Sequence, residues 1–353
     1  MANIELLRTL CQVEGIPSRE DKVRDVVVTE MRRLVDEMSV DALGNLIGRK
    51  HCSGSGGLSV MISAHMDEIG FLVKFIDDSG FVRVQTVGGF DPRMLVAQRA
   101  RVHTRNGEVL PALVQPASKP IHLLQPGDPR DVKIEDIFLD LGLSAEKVKE
   151  QVSIGDMVTM DRETIVIGDT VVSKALDDRV GIFVMLEALR KVGKHSVDIY
   201  AVASTQEEVG LRGAGTAAFG INPDIGIALD VTLAGDIPGA APDATVTRLH
   251  HGAAIKIMDS SHLSDPKLVE HFRDIAEKNS ISYQMEILPR GGTDAGAIQR
   301  VQSGCAAITL SIPTRYLHSV NETASITDID ACIELLARFL EEAGSRSYGY
   351  TIS

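Results

Sequence analysis

The sequence predicts an α/β protein: a mixed-sheet, helix-flanked domain interrupted by a small β-barrel or sandwich. Three observations predict it. Apolar runs of strand length alternate with helix-period segments near the amino terminus and again beyond about residue 171. Between them lie short alternating runs (FLVKFI, FVRVQTV, ARVHT, EVLPALV, MVTM) separated by Gly, Pro and Asp clusters, the texture of a compact β module. Residues of metal-binding type stand after apolar runs on both sides of that module, where the carboxyl ends of parallel strands open into loops. One domain built from residues 1–69 and 164–353, interrupted by a module over 70–163, accounts for all three. A length of 353 residues also exceeds the usual size of a single core.

In chain order, Ile4, Leu6, Leu7 and Leu10 share one helical face, and Ser18 with Asp21 resembles a capping box opening a second helix through Val35. Short strands are expected at residues 38–40 and 46–49, joined by the turn-like DALGN. Residues 58–64 form a continuous apolar run ending at His65. Within the module, residues 115–133 carry four prolines and little periodicity, which predicts a mobile surface loop. Helices are expected at residues 179–192, 266–279 and 327–344, alternating with strands at 197–203, 225–229, 253–258, 283–287 and 306–310. Gly291-Gly292-Thr293-Asp294 reads as the turn into a short helix.

The balance of 36 basic against 49 acidic residues, a formal charge of −13, argues against nucleic acid, whose binding is driven by basic surface. No apolar run reaches the roughly eighteen residues of a membrane span, and the amino terminus has no leader-like pattern. Cys11, Cys52, Cys305 and Cys332 show no paired spacing, as expected of reduced thiols in a cytoplasmic protein.

The chemistry-bearing residues are His65 and Asp67 in AHMDEIG, Asp177 in KALDDRVG, Glu207 and Glu208 in STQEEVG, Asp230 in IALDV, and His318 in RYLHSVNE. Each has an ordinary structural reading: a histidine after a strand is more often a hydrogen-bonded structural residue, and Asp177 or Asp178 suits the cap of the next helix. Their combination points further. Adjacent acids after an apolar strand repel one another, a cost that cations remove. One carboxylate has two oxygens, so Asp177 can bridge two ions, one completed by His65 and Asp230, the other by His318 and Glu208. Three protein ligands per ion leave an open position, the catalytic pattern. Histidine and carboxylate donors suit Zn²⁺ or Co²⁺, with Mn²⁺ also compatible. Asp67, two residues from His65, is placed to orient the ring, and Glu207 is placed to move a proton.

The segments AHMDEIGFLV, KALDDRVG, STQEEVGLRGA, LDVTLAGDIPG, GGTDAGAIQ and SIPTRYLHSVNE resemble the cytosolic dinuclear metallo-aminopeptidases of the tetrahedral (TET) and glutamyl-aminopeptidase type. The resemblance runs over nearly the whole chain. It implies the fold of a dinuclear zinc exopeptidase with a β-rich dimerisation domain inserted. It implies His65, Asp230 and shared Asp177 on one ion, and Glu208, His318 and Asp177 on the other. Glu207 becomes the general acid/base, Asp67 the orienting acid, and the Asp177–Asp178 peptide is cis. Thr293 and Asp294 resemble part of a pocket for the first side chain, and Arg315 either touches substrate or pairs with a local acid. The implied activity is removal of N-terminal residues from short peptides with a free amino terminus. The implied assembly is a dimer that builds a hollow tetrahedral dodecamer, with a cage-less dimer as the alternative. A related amidohydrolase or deacylase, a glycoside hydrolase, and a non-catalytic self-assembling scaffold remain as other readings.

Overall fold

The computed structural model describes residues 3–52, 57–119, 121–128 and 131–350. Two β structures share the chain, as the alternation of textures predicts. The first is a mixed sheet assembled from β1 (Glu37–Val40), β2 (Leu46–Lys50) and β3 (Ser59–His65) before the module, and from strands after it. The second is a closed barrel of β4 (Gly70–Ile76), β5 (Val82–Val87), β6 (Arg99–His103), β7 (Val109–Pro116), β8 (Ile137–Asp140) and β9 (Met157–Met160), in the order β4-β5-β8-β7-β6-β9. The module is therefore a barrel and not a sandwich. Closure leaves no edge unpaired.

The main sheet continues with β10 (Ile165–Ile167), β11 (Thr170–Ser173), β12 (Asp198–Ser204), β13 (Ile225–Leu233), β14 (Ala253–Met258), β15 (Tyr283–Ile287), β16 (Ala306–Arg315) and β17 (Glu322–Ser325). Its order is β1-β2-β12-β3-β13-β16-β17-β11-β10, with β14 joining β16 and carrying β15 beyond it. The central strands β12, β3, β13 and β16 are mutually parallel. They read as apolar runs because both faces are covered. Val60, Ile62 and Ala64 face the main core beneath α1 (Ile4–Gln12), α2 (Asp21–Met31), α5 (Leu176–Lys191), α7 (Pro266–Lys278) and α9 (Ile326–Glu342). Met61 points to the opposite face, against α6 (Arg212–Ile221) and Ile298 of the short α8 (Asp294–Ile298). That alternation is the period-two geometry of a strand.

Several boundaries differ from expectation. The Ser18 capping box does not form: Ser18 has a positive φ of 66°, Glu20 is the cap residue of α2, and the helix ends at Met31, not Val35. Residues 115 and 116 belong to β7, pairing with Phe138 and Ile137, because a proline is tolerated at a strand end. Beyond them the expected loop holds a single 3-10 turn at Ile121–Leu123 among the described residues up to 133. Asp230 lies within β13, which runs on to Leu233 against β16 after its pairing with β3 has ended at Ala228. Continuing that register sets Asp230 level with His65. The Asp177–Asp178 peptide is cis, as the resemblance implies.

Candidate metal centre

The parallel strands deliver the site. His65 is the last residue of β3, opposite Ser204 at the end of β12, and the turn after β12 carries Glu207 and Glu208. Asp177 sits at the entry of α5, where residues 177 and 178 depart from helical geometry. His318 lies in the turn between β16 and β17, with φ of 58°.

These segments converge on Asp177. Its Oδ1 is 3.0 Å from Nε2 of His65 and its Oδ2 is 3.4 Å from Nε2 of His318. Nε2 of His318 is also 3.7 Å from Oε2 of Glu208, and Nε2 of His65 is 3.9 Å from Oε2 of Glu207. Two donor triads result, His65 with Asp177 and Asp230, and Asp177 with Glu208 and His318; in each, the donor atoms lie within 4.8 Å of one another.

The supporting contacts fix which ring nitrogen faces the cluster. Nδ1 of His65 donates to the main-chain carbonyl of Asp67 at 2.9 Å, and Nδ1 of His318 donates to the carbonyl of Gly89, in the barrel, at 2.8 Å. Both Nε2 atoms are thereby left free to act as ligands. The Asp67 carboxylate accepts the main-chain N–H groups of Glu207 and Glu208, at 3.0 and 3.1 Å, and stands 3.6 Å from the His65 ring. Asp67 thus orients the ring through its carbonyl and holds the Glu207–Glu208 turn through its carboxylate. Asp178, on the far side of the cis bond, accepts the N–H of His65 at 3.1 Å.

The electrostatics are those of a carboxylate cluster in want of positive charge. Burial, then the Asp177 charge, pushes Glu208 up to about 8. Burial, with Asp230 and Glu208 adding to it, carries Glu207 well above the carboxylate range, and burial with Asp177 does the same to Asp230. Burial disfavours a charged His318, but its hydrogen bond to Asp177 and the Glu208 charge outweigh this and raise it to about 10. Burial likewise opposes ionisation of Asp177, yet the hydrogen bonds from His318 and His65 hold it below the usual range. Protons do here what divalent cations do with more charge per site. The nitrogen and oxygen donors fit Zn²⁺, Co²⁺ or Mn²⁺.

A cavity of about 570 Å³ opens beside the cluster. Glu207, Glu208, Asp177, Asp230 and His318 form its inner end, and Val231, Leu233, Leu288 and Leu317 line it further out, with Arg290, Gly291 and Gly292. On the barrel side a narrow cleft of about 20 Å³ separates Asp177, Glu208 and His318 from Phe90, Met94 and Leu95.

The chain has counterparts among known proteins. The sequence model for the M42 glutamyl aminopeptidases matches residues 44–335. The chain belongs to this M42 family. It is 37% identical over 351 residues to the lysyl aminopeptidase of Pyrococcus furiosus, covering 97% of this chain and 98% of that one. Its fold matches an aminopeptidase of the archaeon Desulfurococcus kamchatkensis with a TM-score of 0.92 at 42% identity, covering 97% of this chain and 95% of the other. It also matches the TET1 peptidase of Pyrococcus horikoshii, which can assemble into a tetrahedron or a large octahedral shell, with a TM-score of 0.84 at 32% identity over 96% and 99% of the two chains.

Thr293 and Asp294, expected at the substrate, stand behind the cavity in this M42 chain, and Arg315 takes the second of its two expected roles. Thr293 is buried, with its hydroxyl 2.7 Å from that of Thr309 and 3.2 Å from Asp259. Asp294 is buried beneath the strand ends, accepting from Ser63 at 2.7 Å and Ser204 at 2.6 Å. Arg315 makes a two-pronged ion pair with Asp236, at 2.8 and 2.6 Å. Of that turn it is Arg290, Gly291 and Gly292 that reach the cavity, because Thr293 already begins the packed entry to α8. Sequence reasoning also passed over Glu322, whose carboxylate accepts the N–H groups of both Asp177 and His318. Its only signal was a glutamate four residues after a candidate ligand histidine.

Proposed function

We propose that this chain is an aminopeptidase that holds two divalent cations between His65, Asp177, Asp230, Glu208 and His318 and releases the first residue of peptides with a free amino terminus. The observation that carries the reading is the Asp177 carboxylate, which turns one oxygen to each histidine, at 3.0 and 3.4 Å, at the closed end of the 570 Å³ cavity. Zn²⁺ or Co²⁺ bound there would polarise the scissile carbonyl and acidify the attacking water. Glu207 takes the proton from that water and returns it to the leaving amine. Asp67 keeps Glu207 and Glu208 in register by binding both of their N–H groups. A cation or a carboxylate at the inner end would receive the free α-amine, and the aliphatic outer wall favours an aliphatic first side chain.

In this reading residues 1–69 and 164–353 form the catalytic domain. Residues 70–163 form a dimerisation domain, the dimers build a TET-like dodecamer, and the enzyme works in the cytoplasm on short peptides.

The test is Glu207→Gln assayed on a leucyl reporter in free and N-acetylated form. Turnover of the free substrate should fall about 100-fold or more with two equivalents of metal retained, and the acetylated substrate should be poor for the wild type. A variant near the wild-type rate removes Glu207 from the mechanism, and faster cleavage of the acetylated substrate makes the protein a deacylase.

A further inference from the structure

Asp177 and His318 come from segments far apart in sequence, yet one side chain touches the main chain of both. Glu322 opens β17, where it pairs with Ser173 just upstream of Asp177. Its side chain is 2% exposed. Oε2 accepts the N–H of Asp177 at 3.1 Å, and Oε1 accepts the N–H of His318 at 2.9 Å. Among the described residues no lysine or arginine pairs with Glu322. A buried carboxylate with no cation is costly unless hydrogen-bonded, so these two bonds justify its presence. Neither N–H has another use: Asp177 lies at a helix entry, where donors lack intrahelical partners, and His318 lies in a turn.

The backbone on either side would not hold itself. Ala175, Tyr316 and His318 all have positive φ, at 55°, 61° and 58°. For residues with a Cβ such conformations are costly and persist only where the surroundings impose them. We infer that Glu322 is a positioning residue of the metal centre: its carboxylate sets the distance between Asp177 and His318 and thereby shapes the triad those two complete with Glu208. In the other triad only the shared Asp177 touches Glu322; His65 and Asp230 are secured without it, since Asp178 binds the His65 N–H and Asp230 is fixed within β13. Glu322 therefore acts unequally on the two ions.

The inference rests on the two-ion reading above, and its test separates the two. Metal-stripped wild type and Glu322→Gln are titrated with Zn²⁺ against a chromophoric chelator. Glutamine keeps the volume but turns an NH₂ toward one of the N–H groups. The wild type should take up two equivalents. The variant should keep one at wild-type affinity and bind the other at least ten-fold more weakly. A purely structural role would lower the melting temperature of the metal-free variant and leave the ratio of the two affinities unchanged. That result, or equal weakening of both equivalents, overturns the inference. Wild type binding fewer than two equivalents sinks the two-ion reading instead. In that case, or if Glu322→Gln does not fold, hydrogen exchange on the metal-free wild type decides: protected amides at Asp177 and His318 support the clamp, and exchange at the rate of free peptide overturns it.

Discussion

Four consecutive main-chain N–H groups, at residues 205–208, donate to side chains and not to a neighbouring strand. Thr205 donates to Asn45 at 3.0 Å, Gln206 to Glu20 at 3.1 Å, and Glu207 and Glu208 to Asp67 at 3.0 and 3.1 Å. Strand β12 thus ends in a turn whose shape is dictated by three side chains, and that turn aims both glutamates at the site. Glu20 bears a cost for its part: burial first, then the Asp67 charge, raises its pKa to about 7 from an ordinary value near 4.5. A carboxyl with a higher pKa folded than unfolded binds more protons in the native state, so its contribution is fully present below about 4.5 and is lost as pH rises through 7. Glu20→Gln keeps an acceptor for the N–H groups of Ser18 and Gln206, both of which bind Oε1. The metal-free variant should melt near the wild-type temperature at pH 4 and above it at pH 8, by the equivalent of about 1 kcal/mol or more. Parallel melting curves across that range would show that Glu20 is not strained by its charge.

At the scale of elements, what could be read from the sequence followed side-chain size. β3, β12, β14 and β16 announce themselves as apolar runs, and α9 through the spacing of Ile329, Ile333, Leu336 and Leu340. Helix α6, of sequence RGAGTAAFGI, was not legible, since alanine and glycine hide any periodicity. Small residues are what its place demands. A Cβ at Gly213 would stand 2.4 Å from the carbonyl oxygen of Thr205 and 2.3 Å from Oδ1 of Asn45, so α6 packs directly on the turn that bears the glutamates. A Cβ at Gly220, near the exposed end of the same helix, meets nothing within 4 Å. Gly213→Ala should therefore destabilise by about 1–3 kcal/mol and depress turnover, while Gly220→Ala should stabilise by about 0.5–1 kcal/mol at unchanged turnover. Denaturant melts and a single reporter assay check both, and equal behaviour of the two variants would detach α6 from the site. β17 escaped notice for a different reason. Its residues, ETAS, are all buried but mostly polar: Glu322 serves the site, Ala324 joins the main core, and Thr323 and Ser325 hydrogen-bond to residues nearby.

At the scale of the molecule, the candidate ligands were legible because metal chemistry restricts residue type and the parallel sheet restricts where such residues gather. What tied them together was not: pairs such as Arg315 with Asp236, or Glu322 with Asp177, depend on tertiary placement that no local pattern encodes. The result is a centre joined to every layer of the fold. Its histidines rest on β3 and on a barrel carbonyl, the shared Asp177 at the entry of α5, and its remaining acids on the turn after β12 and on β13. Asp177, Glu207, Glu208 and Asp230 crowd the same buried space, with Asp178, Asp294 and Glu322 buried close behind them. Without cations the cluster must hold protons or repel itself, so metal removal should weaken the whole molecule and not the site alone. A ligand that binds only the native state adds about 4 kcal/mol at a thousand-fold excess over its dissociation constant. Dialysis against a chelator should therefore lower the melting temperature by several degrees and sharpen its fall as pH rises from about 4.5 through about 8, where Glu208 and the other raised carboxyls are forced to ionise. Adding Zn²⁺ or Co²⁺ back should restore both the temperature and its flatness with pH. Calorimetric scans with and without metal decide it, since a melting temperature indifferent to chelation would mean that the carboxylates are balanced by protons alone and that no ion belongs between His65 and His318.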